Sequence, residues 1–386
     1  MHRSARRVTR LFLLCAVLRP LCFGALLFAY DPLALWHAPW GREATLHKNM
    51  RFAAVGAIRR APFESALLGT SIMENMSAAE ASRVLGSRFA NLSLTASDYV
   101  ERRIAIDYLL DVRPVQQLVY SLDKVYLTAR RGYTTFPLPT WDFLYDGNRL
   151  NDARVYLNGH FLRCLRGWSK APECVGRAAD LDRPNAWADE PEHSLRFGGI
   201  DKWCAARTNY QVRDARNDLR KATLRLRGEP DGEPAPAEVA VVVARALAYV
   251  EENVVALVRR HPQTRFRMFF PPNSRAQFAI WHQSQPHFAA AHEAVIRLMA
   301  QRAGELPNLE LHGFETESFL DDIANYKDFV HYAPARDAWL LTAMRDGTHR
   351  LGPDNVEAYI AQARQRALGF DIAGLLATLE QCLGPD

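Results

Sequence analysis

Short apolar runs alternate with longer segments of helical spacing along most of the chain. The apolar runs, which are typical of buried strands, cover residues 65–68, 89–92, 117–122, 265–270 and 309–314. Helical patterns cover residues 78–85, 98–110, 237–260, 275–303, 336–344, 356–367 and 371–383. This alternation predicts an α/β fold with a doubly wound, mostly parallel sheet flanked by helices. Ligands of such sheets bind at the carboxyl ends of the strands.

Residues 124–236 interrupt this alternation. The segment is too long for an ordinary βα loop, so it predicts a large inserted cap over the site. Its tryptophans favour either glycan or lipid recognition or the core of a small subdomain, and both interpretations stay open: Trp141, Trp168, Trp187 and Trp203. A turn-rich stretch at 228–236 closes the insertion.

The first 30 residues have a membrane-anchor pattern. Residues 11–30 are apolar apart from Arg19 and Pro20, and a helix of 20 residues would span about 30 Å, close to the bilayer core. Four arginines precede the run and predict a cytoplasmic start with the rest exported; a cleaved signal peptide is the alternative. The predicted organisation is an anchor at 1–30, a juxtamembrane lead-in at 31–62 and one α/β domain at 63–386, interrupted by 124–236.

Composition narrows the function classes. The chain is 48% hydrophobic and 24% charged, with a formal net charge of +5, as in an ordinary globular protein. No basic run alternates with aromatic residues after the anchor, which argues against a nucleic-acid partner. No Cys-x-x-Cys pair occurs, and the spacing of His282, His287 and His292 does not keep one helical face. We therefore predict neither a metal nor a cofactor.

Four cysteines follow the anchor segment: Cys164, Cys174, Cys204 and Cys382. Four cysteines allow three pairings, and the sequence alone does not choose among them. Cys164 and Cys174 enclose a loop-like stretch and are the preferred candidate pair.

Candidate chemistry lies at the two ends of the α/β pattern. Ser71 follows a strand and Gly69, in a position where a tight turn would expose its hydroxyl and a following helix N-terminus would favour a developing anion. The alternative is that Ser71 only caps that helix. Asp328 and His331, three residues apart near the C-terminus, have the types and spacing of a base held by an orienting carboxylate.

Together these two stretches resemble the SGNH (GDSL-type) hydrolase superfamily, most closely its divergent, membrane-anchored bacterial branch, whose relatives help O-acylate cell-envelope polymers. The resemblance implies an SGNH-like fold, with Ser71 as nucleophile, His331 as general base and Asp328 as its orienting acid. It also implies an oxyanion or substrate site in the block containing Asn91 and Ala96. In that block Thr95-Ala96 replaces the usual glycine.

The third family block departs further from the pattern, because Asp123 stands where an asparagine donor is usual. Asn273, after the Phe269-Phe270-Pro271-Pro272 strand end, is the predicted replacement donor, although a turn-forming asparagine is the more common explanation of such a residue.

The predicted function is that of a membrane-anchored serine esterase or O-acyltransferase that acts on an ester of a cell-envelope glycan or a related substrate. Its partners would be that substrate and, through the N-terminal helix, the lipid bilayer. The predicted location is the bacterial inner membrane, single-pass, with the catalytic domain on the periplasmic side. The alternative from another class is an inactive scaffold with the same fold, which binds an envelope polymer or an assembly partner.

Overall fold

The structure is a computed structural model, and it describes residues 2–130, 133–228 and 235–384. Most of the predicted turn-rich stretch at 228–236 lies outside these residues. The chain divides into two compact units. Unit 1 comprises Met1–Ala61 and Pro137–Asp180, and unit 2 comprises Pro62–Phe136 and Leu181–Asp386. These units group 137–180 with the N-terminal residues, whereas the sequence analysis places 124–236 in one insertion.

Unit 1 begins with a long apolar helix. Its helices are His2–Tyr30, Met50–Arg60, Gly159–Arg166 and Pro172–Val175, with 3-10 turns at Leu138–Thr140, Asp142–Tyr145 and Asp152–Tyr156. Within the first helix, Thr9–Tyr30 is long and apolar enough to cross a membrane. Most large side chains of this segment are exposed, Phe12 to 70%, whereas Leu27 and Tyr30 near its end are buried. A candidate membrane span at this position is therefore present.

A buried carboxylate and a disulfide stabilise the residues of unit 1 that follow the first helix. The buried Asp31 carboxylate accepts hydrogen bonds from the backbone N–H groups of Leu35 and Trp36 and from the Tyr156 hydroxyl. A disulfide joins Cys164 to Cys174, the preferred candidate pair. The Tyr156 hydrogen bond joins residues 125 positions apart in the chain, whereas the disulfide closes a local loop, since its cysteines are 10 positions apart.

Unit 2 contains one six-stranded sheet. Its strands are β1 (Ser65–Leu68), β2 (Phe89–Asn91), β3 (Gln117–Ser121), β4 (Arg265–Phe270), β5 (Leu309–Gly313) and β6 (Arg350–Leu351). The strand order is β2-β1-β3-β4-β5-β6, with β1 to β5 parallel and β6 antiparallel. The prediction of an α/β fold with a mostly parallel sheet flanked by helices is confirmed. The two-residue β6 was not predicted, because so short a strand has no periodicity.

The helices of unit 2 are Ala78–Leu85, Tyr99–Val112, Pro191–Ser194, Ile200–Ala205, Tyr210–Leu226, Pro236–Val250, Ala256–Arg260, Arg275–Ser284, Pro286–Glu305, Ala335–Asp346, Val356–Leu368 and Ile372–Leu383. Short 3-10 turns occur at Lys124–Leu127, Trp187–Asp189, Ser318–Asp321 and Ile323–Asn325. A π-helical turn, Glu251–Val255, interrupts the predicted helix at 237–260. The predicted helix at 275–303 is two helices, because Pro286 lacks the N–H that would continue the first and starts the second.

The strand order places a crevice next to β1. Leu67 of β1 lies opposite Asn91 of β2 on one side and Val119 of β3 on the other. From β1 the chain continues to β2 on one side and then crosses to β3 on the other side, so the direction of winding reverses at β1. In open α/β sheets this reversal opens a crevice at the carboxyl ends of the strands. Ser71 follows the carboxyl end of β1.

Candidate active site

Ser71 lies in a turn that the end of β1 leads into. A Cβ atom on Gly69 would clash with Ser121 Oγ and with Met73, so only glycine fits between the strand and the turn. The turn closes through the N–H of Met73, which donates to Thr70 O at 3.0 Å. The local sequence therefore forces the chain to turn sharply just before the serine.

The expectation of a helix N-terminus directly after Ser71 is wrong. Helix Ala78–Leu85 begins later, and its N-cap is Ser77, whose side chain accepts from the N–H of Glu80. The intervening turns persist because Asn91 Nδ2 donates to the carbonyls of Met73 and Met76, at 2.7 and 2.9 Å. The capping alternative for Ser71 is thereby excluded, and the helix contributes no potential at the serine.

Asp328 and His331 lie on one short loop after β5. A bridge between Tyr326 and Tyr332, with Lys327 N–H donating to His331 O at 3.1 Å, closes the loop into a hairpin-like turn. The N–H groups of Val330 and His331 donate to Asp328 Oδ1 at 2.9 and 2.8 Å. The backbone itself thus fixes the carboxylate beneath the imidazole.

The structure brings the three predicted side chains together. Ser71 Oγ lies 2.9 Å from His331 Nε2. His331 Nδ1 lies 2.9 and 2.8 Å from the two carboxylate oxygens of Asp328. Because a carboxylate only accepts, Nδ1 carries the proton and Nε2 is left to accept the Ser71 hydroxyl. A continuous chain of hydrogen bonds joins residues 260 positions apart in the sequence.

Asp328 is held in its charged form. Burial alone would raise the pKa of its carboxyl, but His331, Lys327 and the loop N–H groups hold that pKa well below its ordinary value. The Lys327 ammonium donates to Asp328 Oδ2 at 3.2 Å, and its side chain is only 2% exposed. Burial lowers the pKa of Lys327 in turn. The carboxylate is therefore a fixed negative charge at neutral pH that would favour a proton on His331 during a reaction.

Trp187 completes the surroundings of the serine and the histidine. Its indole N–H donates to the Ser71 carbonyl at 2.7 Å, and its ring meets the His331 ring edge-on at 5.2 Å. The Lys327 ammonium lies 4.4 Å from the centre of the same ring. The sequence analysis groups Trp187 with the other tryptophans of the insertion, either in ligand recognition or in a subdomain core, because no local signal shows that the chain returns it to Ser71.

Replacing Trp187 by phenylalanine is expected to remove one hydrogen bond from the Ser71 turn while keeping a ring beside His331. The loss should be about 1 kcal/mol, which corresponds to about fivefold slower reaction of Ser71 with a fluorophosphonate if the turn is held in its reactive position. Trp187→Ala, which also removes the ring, should slow the reaction further. Time-resolved labelling of the full chain measures both. Equal rates for the parent and the alanine variant would contradict this positioning.

A cleft of about 250 Å³ opens beside the serine. Ser71, His331, Ala96 and Asn273 line it, so the structure places two of the three predicted oxyanion or substrate residues at the site. Throughout the described ranges, the N–H groups of Ser71 and Ala96 and the side-chain amide of Asn273 donate no hydrogen bond to protein. Three donors are therefore left for a ligand in this cleft.

Ala96 has an unusual backbone conformation, with φ of 53°. This left-handed region disfavours any residue with a Cβ atom. Ala96→Gly is therefore expected to raise the free energy of unfolding by up to about 1 kcal/mol while keeping the N–H in the cleft. Urea unfolding measures the change. Ala361→Gly, at an exposed position of a regular helix, is the control, and it should lower the free energy of unfolding by about 1 kcal/mol. If Ala96→Gly lowers the free energy of unfolding as well, the backbone of Ala96 is not strained.

Asn91 does not line the cleft. Besides the two bonds to the Ser71 turn, its Oδ1 accepts from the N–H of Ser93 at 3.0 Å, so the buried amide is occupied on both sides. Asn91 therefore holds the Ser71 turn in place from below. The sequence analysis instead predicts that it contacts the substrate.

Asp123 lines the cleft, and its carboxylate is paired with a cation. Its Oδ1 accepts from Thr70 Oγ1 and its Oδ2 from Ser121 Oγ and Arg102 Nη1, each at 2.8 Å. Arg102 is fully buried, with its guanidinium 4.6 Å from the centre of the Tyr99 ring. The Arg102 guanidinium therefore balances the charge of this carboxylate, which also fixes Thr70, the residue before Ser71.

In the described part of the chain, one cluster has side chains of metal-ligand type: His160, Cys164 and Cys174. Both sulfur atoms are joined in the disulfide and carry no thiolate. The cluster is therefore a covalent crosslink with a neighbouring histidine.

Comparisons with protein-family models, with characterised proteins and with solved structures find no significant match to this chain. The site must therefore be interpreted from its own geometry.

Proposed function

We propose that this protein is a membrane-anchored serine ester hydrolase or O-acyltransferase with an SGNH-like catalytic domain. The observation that carries the proposal is the hydrogen-bonded series Ser71 Oγ, His331 Nε2, His331 Nδ1 and Asp328, at distances of 2.8 to 2.9 Å. A nucleophile within reach of a base, and a base oriented by a carboxylate, is the arrangement that covalent acyl transfer requires.

The proposed reaction has two halves. His331 Nε2 takes the Ser71 proton as Oγ attacks the ester carbonyl, and the leaving alcohol then receives that proton, which leaves an acyl group on Ser71. In the second half, His331 removes a proton from water or from a sugar hydroxyl, which attacks the acyl-serine and releases an acid or a new ester. Ser71 and His331 end in their starting states.

Stabilisation of the oxyanion is assigned to the donors that line the cleft. The N–H groups of Ser71 and Ala96 and the amide of Asn273 have no protein acceptor within the described residues. Donors that are fixed before reaction stabilise developing charge more than water does, because they need no reorganisation during the reaction. In this proposal Asn273 supplies the donor that the third family block lacks.

The SGNH-like assignment rests on the position of the site. Ser71 follows the first strand of a parallel sheet at its winding reversal, and Asp328 and His331 follow the fifth strand on a single loop. This matches the chain order implied by the sequence resemblance. The geometry of the site is the stronger of the two supports.

We further propose a single-pass location in the bacterial inner membrane, with the catalytic domain on the periplasmic side. Helix residues Thr9–Tyr30 have the required length and apolarity, and the arginines before them favour a cytoplasmic start. The Cys164–Cys174 and Cys204–Cys382 disulfides support an oxidising compartment for the rest of the chain. The substrate would then be an acyl ester of the envelope, with a glycan as the favoured class.

The test uses the full chain in a non-ionic detergent and a fluorophosphonate probe. We expect one equivalent of probe on the peptide that contains Ser71, identified by mass spectrometry, with no labelling after heat denaturation. Adding a sugar alcohol during turnover of an acetyl ester separates the two reaction types, since a transferase forms the sugar acetate and a hydrolase releases acetate alone. A folded protein whose Ser71 does not react would refute the proposal and favour the scaffold alternative.

A further inference from the structure

One cation in the Ser71 cleft has no place in the proposed acyl transfer. Lys124 begins the 3-10 turn after β3 and lines the cleft together with Ser71 and Asn273. Its side chain is exposed to solvent, although protein surrounds it closely enough to lower the pKa of its ammonium through burial. Lys124 therefore lies in a concave part of the surface that solvent can reach.

The Lys124 ammonium has hydrogen-bond donors that the described protein residues do not use. It donates to Gln277 Oε1 at 2.7 Å, and this neutral acceptor takes one of its three donors. Lys124 forms no ion pair within the described ranges, and the Trp281 ring centre is 5.9 Å away. Gln277 thus orients the ammonium without neutralising it.

The carboxylates nearest to Lys124 are mostly matched by other cations. Asp123 is paired with the buried Arg102, and Asp328 is paired with Lys327 and His331. Asp218 also favours the charged form of Lys124, but it lies on an exposed helical position and makes no ion pair with it in the described chain. The cleft therefore contains a positive charge whose nearest counter-charges are occupied or solvated.

We infer that Lys124 binds an anionic group of the substrate, so that the natural substrate is an ester that carries a carboxylate close to the scissile bond. The inference rests on the proposed function, because it assigns the ester that Ser71 attacks. The reasoning is that an oriented ammonium beside a nucleophile raises the affinity for a carboxylate through a charge-assisted hydrogen bond, whereas a neutral ester leaves it with water.

The test measures two matched pairs of esters. The first pair varies the acyl part: 4-nitrophenyl butyrate and the mono-4-nitrophenyl ester of succinate, in which a carboxylate replaces the terminal methyl group. The second pair varies the alcohol part: phenyl acetate and 4-carboxyphenyl acetate. For each pair, the ratio of kcat/KM for the anionic ester to kcat/KM for the neutral ester is compared between proteins, which cancels the intrinsic reactivity of the esters.

In at least one pair, Lys124→Met is expected to lower this ratio about ten- to a hundredfold, and Lys124→Glu should lower it further. Lys124→Arg should retain most of the preference, because it keeps the charge. Lys202→Met, which removes an exposed lysine outside the cleft, is the matched control and should leave the ratio at the parent value. In the parent protein, raising the salt concentration should lower the ratio, since salt screens an exposed charge.

A ratio that is insensitive to Lys124→Met in both pairs, or to salt in the parent, overturns the inference while ester hydrolysis by Ser71 stands. The salt measurement needs no variant and decides the question even if a Lys124 variant fails to fold. If the parent hydrolyses none of the four esters and Ser71 is not labelled, the proposed function itself fails, and the inference fails with it.

Discussion

Replacing Ser71 by alanine is expected to abolish both labelling by a fluorophosphonate and ester turnover. The hydroxyl is the only part of the serine that contacts His331, at 2.9 Å, so its removal leaves no nucleophile on the base. Loss of a triad nucleophile lowers kcat by about 10⁴-fold or more. The fold should persist, since the side chain is small and lies at the edge of the cleft. Steady-state kinetics on an activated ester and thermal unfolding measure the two quantities.

Ser93→Ala is the matched control for this experiment. Like Ser71, Ser93 lies near the carboxyl end of a strand, but it is buried and its Oγ has no hydrogen-bond partner in the part of the chain that the structure describes. Removing that hydroxyl should change neither activity nor stability by more than a small amount. If both variants keep the parent activity, hydrolysis by this protein proceeds without Ser71 and the proposed mechanism is wrong.

Replacing Asp328 by asparagine is expected to be the second large effect. The amide cannot favour the protonated Nδ1 of His331 as a carboxylate does, so kcat should fall by about 10⁴-fold. The same change leaves the buried Lys327 ammonium without its counter-charge, which should reduce the free energy of unfolding by about 3 kcal/mol. Kinetics and urea unfolding separate the two consequences.

The double variant Asp328→Asn with Lys327→Met is the control for the second consequence. Removing the unpaired ammonium should restore part of the stability and none of the activity.

The dependence of stability on pH also tests the role of the Asp328 carboxylate. Because the folded-state pKa of Asp328 is lowered, its contribution to stability is present above about pH 4 and is lost as the pH falls below that value. Asp328→Asn should therefore remove part of the acid-side loss of stability. Full activity of the single variant would contradict the assigned orienting role.

The sequence was sufficient for the features that depend on local pattern. The five parallel strands lie where short apolar runs predict them, and Ser71, Asp328 and His331 are recognisable because a small number of residue types in fixed spacing can perform the chemistry. Helix Ala78–Leu85 has the predicted bounds, since its serine cap and following glycine mark both ends.

Contacts between residues that are far apart in the sequence could not be predicted. Trp187 reaches the Ser71 carbonyl across 116 residues, and no local signal distinguishes it from the other tryptophans of the insertion. The prediction for Asn91 differs from the structure for a similar reason: its amide donates to two backbone carbonyls of the Ser71 turn, 18 and 15 residues away in the chain. Asp123 was interpreted without Arg102, whose guanidinium arrives from the preceding helix.

The second disulfide has a consequence for biosynthesis. Cys204 and Cys382 are 178 residues apart, and Cys382 is close to the last residue of the chain. The bond therefore cannot form until the residues between its two cysteines have been synthesised and Cys382 has reached Cys204 in an oxidising environment. Until then, the polypeptide that carries Trp187 and Lys327 lacks this crosslink. A product that stops before Cys382 would therefore lack a covalent crosslink that encloses the loop carrying Asp328 and His331.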